Sequence, residues 1–198
     1  MLVEETTVPS EALPVAKFKD HLRMGSGFAD DALQDDVLEG YLRAALAAIE
    51  ARTGKITIQR VFSIRLTNWR DVQNQPLPLA PVDQLIDVTT IDSAGVSTEA
   101  DLAAVNLIKD THRPRLMTKG VTLPKVPEAG AVVVRVLAGY GPDWSDLPPD
   151  MAQAVMLLAA HFYENRADRS GQRHTMPFGV SALIERFRNI RVFGGGSS

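Results

Sequence analysis

The stretch that most constrains the fold is Leu147 to Val192, LPPDMAQAVMLLAAHFYENRADRSGQRHTMPFGVSALIERFRNIRV, which holds the longest apolar segment and two helix starts. Ser145 or Asp146 is placed to cap an incoming helix, Pro148 and Pro149 suit a first turn whose amides lack partners, and Asp150 adds favourable charge there. A helix is therefore expected from about Pro148. Met151, Val155, Leu158 and Phe162 recur at helical spacing, and Ala154, Leu157, Ala159 and Ala160 make the remaining circumference nearly apolar too. Such a helix needs cover on more than one side. It turns polar at Tyr163-Glu164-Asn165-Arg166 and breaks at Ser170-Gly171, after which Pro177 opens a shorter helical pattern through Ala182, Leu183, Ile184 and Phe187.

Towards the N-terminus, Ser10 to Met24 reads as a short helix with Leu13, Ala16, Phe18 and Leu22 as candidate buried positions, stopped by Gly25-Ser26-Gly27. A longer helix follows, with Asp30 or Asp31 as cap, Asp35 and Asp36 early, and Gly54 just beyond its end. Leu33, Val37, Tyr41, Ala44 and Ala48 form one apolar stripe along it, and Leu38, Leu42, Ala45 and Ile49 a second. Two stripes imply two neighbours. The alanine-rich middle lets another helix approach closely, and the helix after Pro148 is the natural partner for Tyr41 to Ala51.

From Lys55 the period changes. Ile56, Ile58, Phe62, Ile64 and Leu66 alternate with polar residues, Val61 excepted, as in a half-buried strand. The run Gln75-Pro76-Leu77-Pro78-Leu79-Ala80-Pro81-Val82 lacks three ladder donors and reads as an extended connection rather than a central strand. Leu85 to Asp92 reads as a second strand, Asp92-Ser93-Ala94-Gly95 as a turn, and Val96 or Leu102 to Ile108 as a third strand. Ala131 to Leu137 is the clearest strand, ending at the breaker Gly139-Tyr140-Gly141-Pro142. Helices, then antiparallel strands, then helices define an α+β class.

A chain of 198 residues with 45% hydrophobic and 23% charged residues suits one globular domain or a small core carrying an insertion. It contains no cysteine, which removes disulfides, thiolate nucleophiles and cysteine-based zinc sites. The start MLVEETTVPSEALPV lacks a basic, then apolar, signal pattern and no segment reaches membrane-spanning length, so a soluble, unsecreted protein without a membrane partner is expected. A net charge of −3 argues against general nucleic-acid binding. His21, His112, His161 and His174 are scattered without metal-ligand spacing, and neither a metal nor a cofactor is expected. Gly139-Tyr140-Gly141 lacks the lysine of a phosphate loop, and Leu183 stands where a nucleophile elbow around Ser181 needs glycine. No catalytic residues are assigned, and no enzyme is expected.

The ordered set of an alanine-rich helix with Glu50 near its end, LPLAPV, a D-x-x-G turn, VRVLAGYG, a double-proline helix start, YENR and PFGVSALIERFR resembles the head-tail connector (adaptor) proteins of long-tailed phages and of phage-derived gene transfer agents. The resemblance covers nearly the whole chain, loosely from Val96 to Lys125 and not after Asn189. It implies a helical bundle built from both chain ends with a small antiparallel β-rich insertion: residues 1–54 and 142–191 as the bundle, 55–141 as the insertion and 192–198 as a flexible tail. It also implies a ring of about twelve copies below the portal protein, with a tail-side stopper or tail terminator protein as the other neighbour. DNA would pass through the channel without sequence-specific binding. Such a protein is made in the bacterial cytoplasm and resides at the head-tail junction of the particle.

Two charged groups are candidates for the subunit or portal interface. Glu164, Arg166 and Arg169 are either a solvated helix end or a source of inter-subunit ion pairs, the latter by family resemblance. Arg186, Arg188 and Arg191, interleaved with Phe187, Val192 and Phe193, are an ordinary helix end, a nucleic-acid contact or a docking tail; arginine with aromatics favours docking. The alternative function is a small-molecule-binding module or enzyme using a cleft between bundle and sheet.

Overall fold

The computed structural model describes residues 1–23, 32–166 and 176–188. Four α-helices and eight strands make up those segments: β1 (Leu2–Glu4), α1 (Val15–His21), α2 (Ala32–Thr53), β2 (Arg60–Leu66), β3 (Asn74–Pro76), β4 (Val82–Ile91), β5 (Ser97–Glu99), β6 (Val105–Ile108), β7 (Arg115–Thr118), β8 (Ala131–Ala138), α3 (Pro149–Glu164) and α4 (Phe178–Ile184). The strands form a five-stranded antiparallel sheet in the order β1-β2-β8-β4-β5 and a three-stranded antiparallel sheet in the order β3-β7-β6.

This corrects the expected architecture of a helical bundle with a small insertion. The strands occupy two sheets with a core of their own, in which Phe62, Ile64, Val88, Val134 and Val136 from the larger sheet meet Val105 and Leu116 from the smaller. The N-terminal segment is also not purely helical, because β1 pairs with β2, Leu2 opposite Ile64. Strands of three residues bury little and show no alternation, so a reading by hydrophobic period passes over them.

The helices form the second core. Leu38, Leu42, Ala45 and Ile49 of α2 are buried against Met151, Val155, Leu158 and Ala159 of α3, whose other side takes Val180 and Ile184 of α4. The nearly all-apolar α3 thus has its cover: α2 on one flank and α4 on another, with α1 adding Phe18. Of the two stripes expected on α2, only the second is fully buried; Val37 and Ala44 of the first face outward, as does Ala16 of α1. The short first helix begins later than expected, since Pro14 separates a 3-10 turn at Ser10–Ala12 from α1. Asp30 and Asp31, the expected caps of α2, lie outside the described residues.

Local chemistry explains the joints. The residue before α3 is Pro148, with Pro149 in its first turn; Asp146 instead closes a capping box with Asp143, the N-cap of a 3-10 turn at Trp144–Asp146, by accepting the Asp143 amide. Gly139 takes φ +136°, and a Cβ there would sit 2.6 Å from the Gln59 backbone, so Gly-Tyr-Gly is a structural turn. At Asp92 the carboxylate accepts the amides of Ala94 and Val96 around Gly95, closing the expected turn. The proline-rich connection contributes β3 at the edge of the small sheet, where a missing donor is tolerated.

Candidate interaction surface

One buried ion network ties the helical core to the larger sheet, and a second, half-buried one ties strands of that sheet to each other. Oε1 of Glu50, near the end of α2, accepts the Thr57 amide at 2.8 Å and the Thr57 hydroxyl at 2.5 Å, while Oε2 accepts Arg60 Nη2 at 2.7 Å. Arg60 on β2 is only 5% exposed, stacks 5.4 Å over the Phe62 ring, and has Glu4 of β1 3.3 Å from its Nε. On the opposite face Arg135 of β8 bridges Glu5 at 2.9 Å and Asp87 of β4 at 2.8 Å. These carboxylates hold the Arg135 guanidinium above its already high ordinary pKa. The end of α2 and the four strands β1, β2, β4 and β8 are thereby tied together.

The candidate interface residues fall into two places. Arg166, at the C-terminal end of α3, donates to the Tyr163 carbonyl at 2.8 Å and lies 4.3 Å over the Tyr163 ring, which meets Tyr41 edge-on at 5.8 Å. Glu164 is exposed beside it. Arg186 belongs to the other end of α3: it pairs with Asp150 at 3.1 Å and stacks 4.6 Å from Phe187. Burial raises the pKa of the nearby Tyr140 phenol, and the Arg186 charge partly opposes that rise. Arg188 pairs with Glu185 at 3.0 Å. Asp150 and Arg166 stand some sixteen residues apart, about 24 Å of helix, so the structure does not join the two groups into one site. Arg169, Arg191, Val192 and Phe193 lie outside the described residues, as does His174.

A cleft of about 480 Å³ is lined by Pro81, Asp83, Lys109, Asp110 and Tyr140 among others. Its carboxylates are committed: Asp83 pairs with Lys109 at 2.9 Å, and Asp110 accepts the amides of Arg113 and His112, which hold its pKa below the ordinary value. Among the described residues no group of three His, Cys, Asp or Glu side chains is placed to hold a metal ion, and no helix is long and apolar enough to cross a membrane. His161 is half-buried, its ring 3.1 Å from the Asn165 amide, at the polar edge of α3.

Sequence reasoning missed the exposed apolar residues. Val180, Ile184 and Phe187 form the inward stripe after Pro177, and Phe178, two residues before Val180, points the opposite way with 88% of its surface exposed. The signal was present in the spacing alone.

No family model matches the chain, and no curated protein matches it. Solved structures do. A chain in the neck of an empty GTA particle, computed with C6 symmetry, is 52% identical over 98% of both chains, with a TM-score of 0.89. A chain in the virion of a native gene transfer agent (GTA) particle is 51% identical, and one in the neck of a native GTA particle computed with C12 symmetry is 49% identical. Each covers 98% of both chains, with TM-scores of 0.86 and 0.84. A fold with two pinned cores and charged ends, shared at this identity, is that of a structural component of a phage-like particle. The chain belongs to the family of gene transfer agent neck proteins, and its role is that of a structural connector at the head-tail junction.

Proposed function

We propose that twelve copies of this chain close into a ring below the portal protein, joining the DNA-filled head to the tail and continuing the channel through which DNA leaves. The observation that carries this reading is identity of 49–52% over 98% of the chain to neck chains solved with C6 and C12 symmetry, twelve being an order compatible with both. The activity is geometric. A ring requires a heterologous contact, one patch meeting a different patch on the next copy until rotation closes. The rigid coupling of the helical and sheet cores through Glu50 and Arg60 suits that demand, since angular error accumulates around a ring. A net charge of −3 suits a wall past which phosphates slide without sequence-specific binding.

In this reading Glu164, Arg166 and Arg169 serve one contact and Arg186, Arg188, Arg191, Val192 and Phe193 another, to the next subunit or to the portal; a tail-side stopper or terminator meets the remaining face. The test is capture of purified portal rings by the full chain and by a chain truncated before Asn189, with circular dichroism as folding control. Retained folding with loss of capture is expected. Capture of the portal as tightly by the truncated chain would move the docking role away from the tail.

A further inference from the structure

Two surfaces of the helical core stay open among the described residues. Phe178, at the start of α4, is 88% exposed, and a Cβ added at the adjacent Gly179 would meet nothing within 4 Å. An aromatic side chain left this open on a helix beside a residue without a side chain is the form of an interface anchor. On α2, Val37 is 51% exposed, and a Cβ added at Gly40, one turn on, would also meet nothing within 4 Å. Glycine inside a helix costs stability relative to alanine, and among the described residues no close contact requires it at position 40. Ala44 continues the same outward face. Of the stripe to which these residues belong, Tyr41 and Ala48 pack against the helical core, while Val37 and Ala44 stay open among the described residues.

The two surfaces are complementary in place and charge. α3 packs against both α2 and α4, which make no comparable contact with each other, so the anchor and the bare α2 face belong to different flanks of the helical core. That separation is what a heterologous contact needs. The α2 face ends at exposed Asp36, while beyond α4 stand Arg186, in an exposed pair with Asp150, and Arg188, in an exposed pair with Glu185. Phe178 and Arg186 are eight residues apart across α4 and the 3-10 turn that follows it, a span similar to the roughly 12 Å between Asp36 and Ala44 on α2, so an antiparallel seating of Phe178 near Ala44 brings Arg186 towards Asp36.

We infer that Phe178 of one copy seats on the Val37–Gly40–Ala44 face of α2 of the next copy, with Arg186 meeting Asp36, and that this contact repeats around the ring. The inference rests on the ring reading above and names one of its subunit contacts. Glycine at position 40 then lets the neighbour's ring approach the helix backbone, and glycine at 179 removes a side chain that would hold the two helices apart.

The cysteine-free chain permits a direct test, because only introduced thiols can pair. Particles are produced with Phe178→Cys and Ala44→Cys together in one chain, and with each alone, then oxidised and run on a non-reducing gel. The double variant is expected to give a ladder of multimers with most of the monomer band lost, and each single variant to remain monomeric. A double variant present in particles at the wild-type level yet wholly monomeric overturns the contact while leaving the ring reading intact. Absence of the wild-type protein from purified particles would instead overturn the connector reading on which the contact depends. As a second arm, Gly40→Leu should fold with an undiminished melting temperature but fail to enter particles; incorporation at the wild-type level refutes the seating.

Discussion

Removing the Glu50 carboxylate should uncouple the helical core from the sheet core, and its cost can be worked from the contacts. Glu50→Ala deletes the acceptor for the buried Thr57 amide and hydroxyl and for Arg60 Nη2. It leaves a guanidinium that is 5% exposed with only Glu4, itself 42% exposed, 3.3 Å from Nε. Breaking one side of a buried pair costs about 3 to 5 kcal/mol, because the remaining charge is stranded rather than because the pair was strongly favourable. For a domain of this size that corresponds to roughly 6 to 20 °C in melting temperature. The assay is urea unfolding followed by circular dichroism, on Glu50→Ala, Arg60→Met and the double variant. The double variant should be less destabilised than the two single losses added together, by about 1 to 3 kcal/mol, since it strands no charge. Additive losses, or a Glu50→Ala loss below about 1 kcal/mol, would refute the argument that this network joins the cores.

Other consequences follow from the same packing. Leu158 is 1% exposed between α2 and α4, so Leu158→Ala should cost about 2 to 5 kcal/mol in urea unfolding, and a loss under about half a kcal/mol would show that the site collapses around the missing atoms. Gly40→Ala should raise the monomer's stability by about 0.5 to 1 kcal/mol, measured in the same way, because the added methyl meets no neighbour. Asp110 is held below its ordinary pKa by two backbone amides; this contribution is complete above the unfolded value near 4 and is lost as pH falls through the lower folded value. Melting temperature should therefore decline more steeply below about pH 4 in the wild type than in Asp110→Asn, as differential scanning fluorimetry across that range would record.

The helices were largely legible because burial of α3 and of one face of α2 imposes a 3.6-residue period over many turns. The double proline and Asp150 marked the start of α3 to within a residue. The extent of the sheet was not legible. β1, β3 and β5 are three residues each, and Leu2–Glu4 and Ser97–Glu99 expose every side chain, so no alternation betrays them. The partner of β1 is also about sixty residues away, beyond anything a local period can register. In the sequence Glu50 stands out only as a mark of resemblance, since a carboxylate near a helix end looks the same whether solvated or buried against Arg60. The charged candidates shared one stretch of sequence, yet α3 holds Arg166 and Arg186 at its two ends. Phe178 was legible in principle, lying off the Val180-Ile184-Phe187 stripe, but an apolar residue in an apolar motif reads as core unless its helical angle is followed.

The most direct test of the whole account is a reconstruction of the neck of particles containing this chain, computed with and without imposed symmetry. Twelve copies are expected in one closed ring between portal and tail, with α2 of each copy facing α4 of the next. A ring of a different order, or density for this chain anywhere other than the head-tail junction, would contradict it.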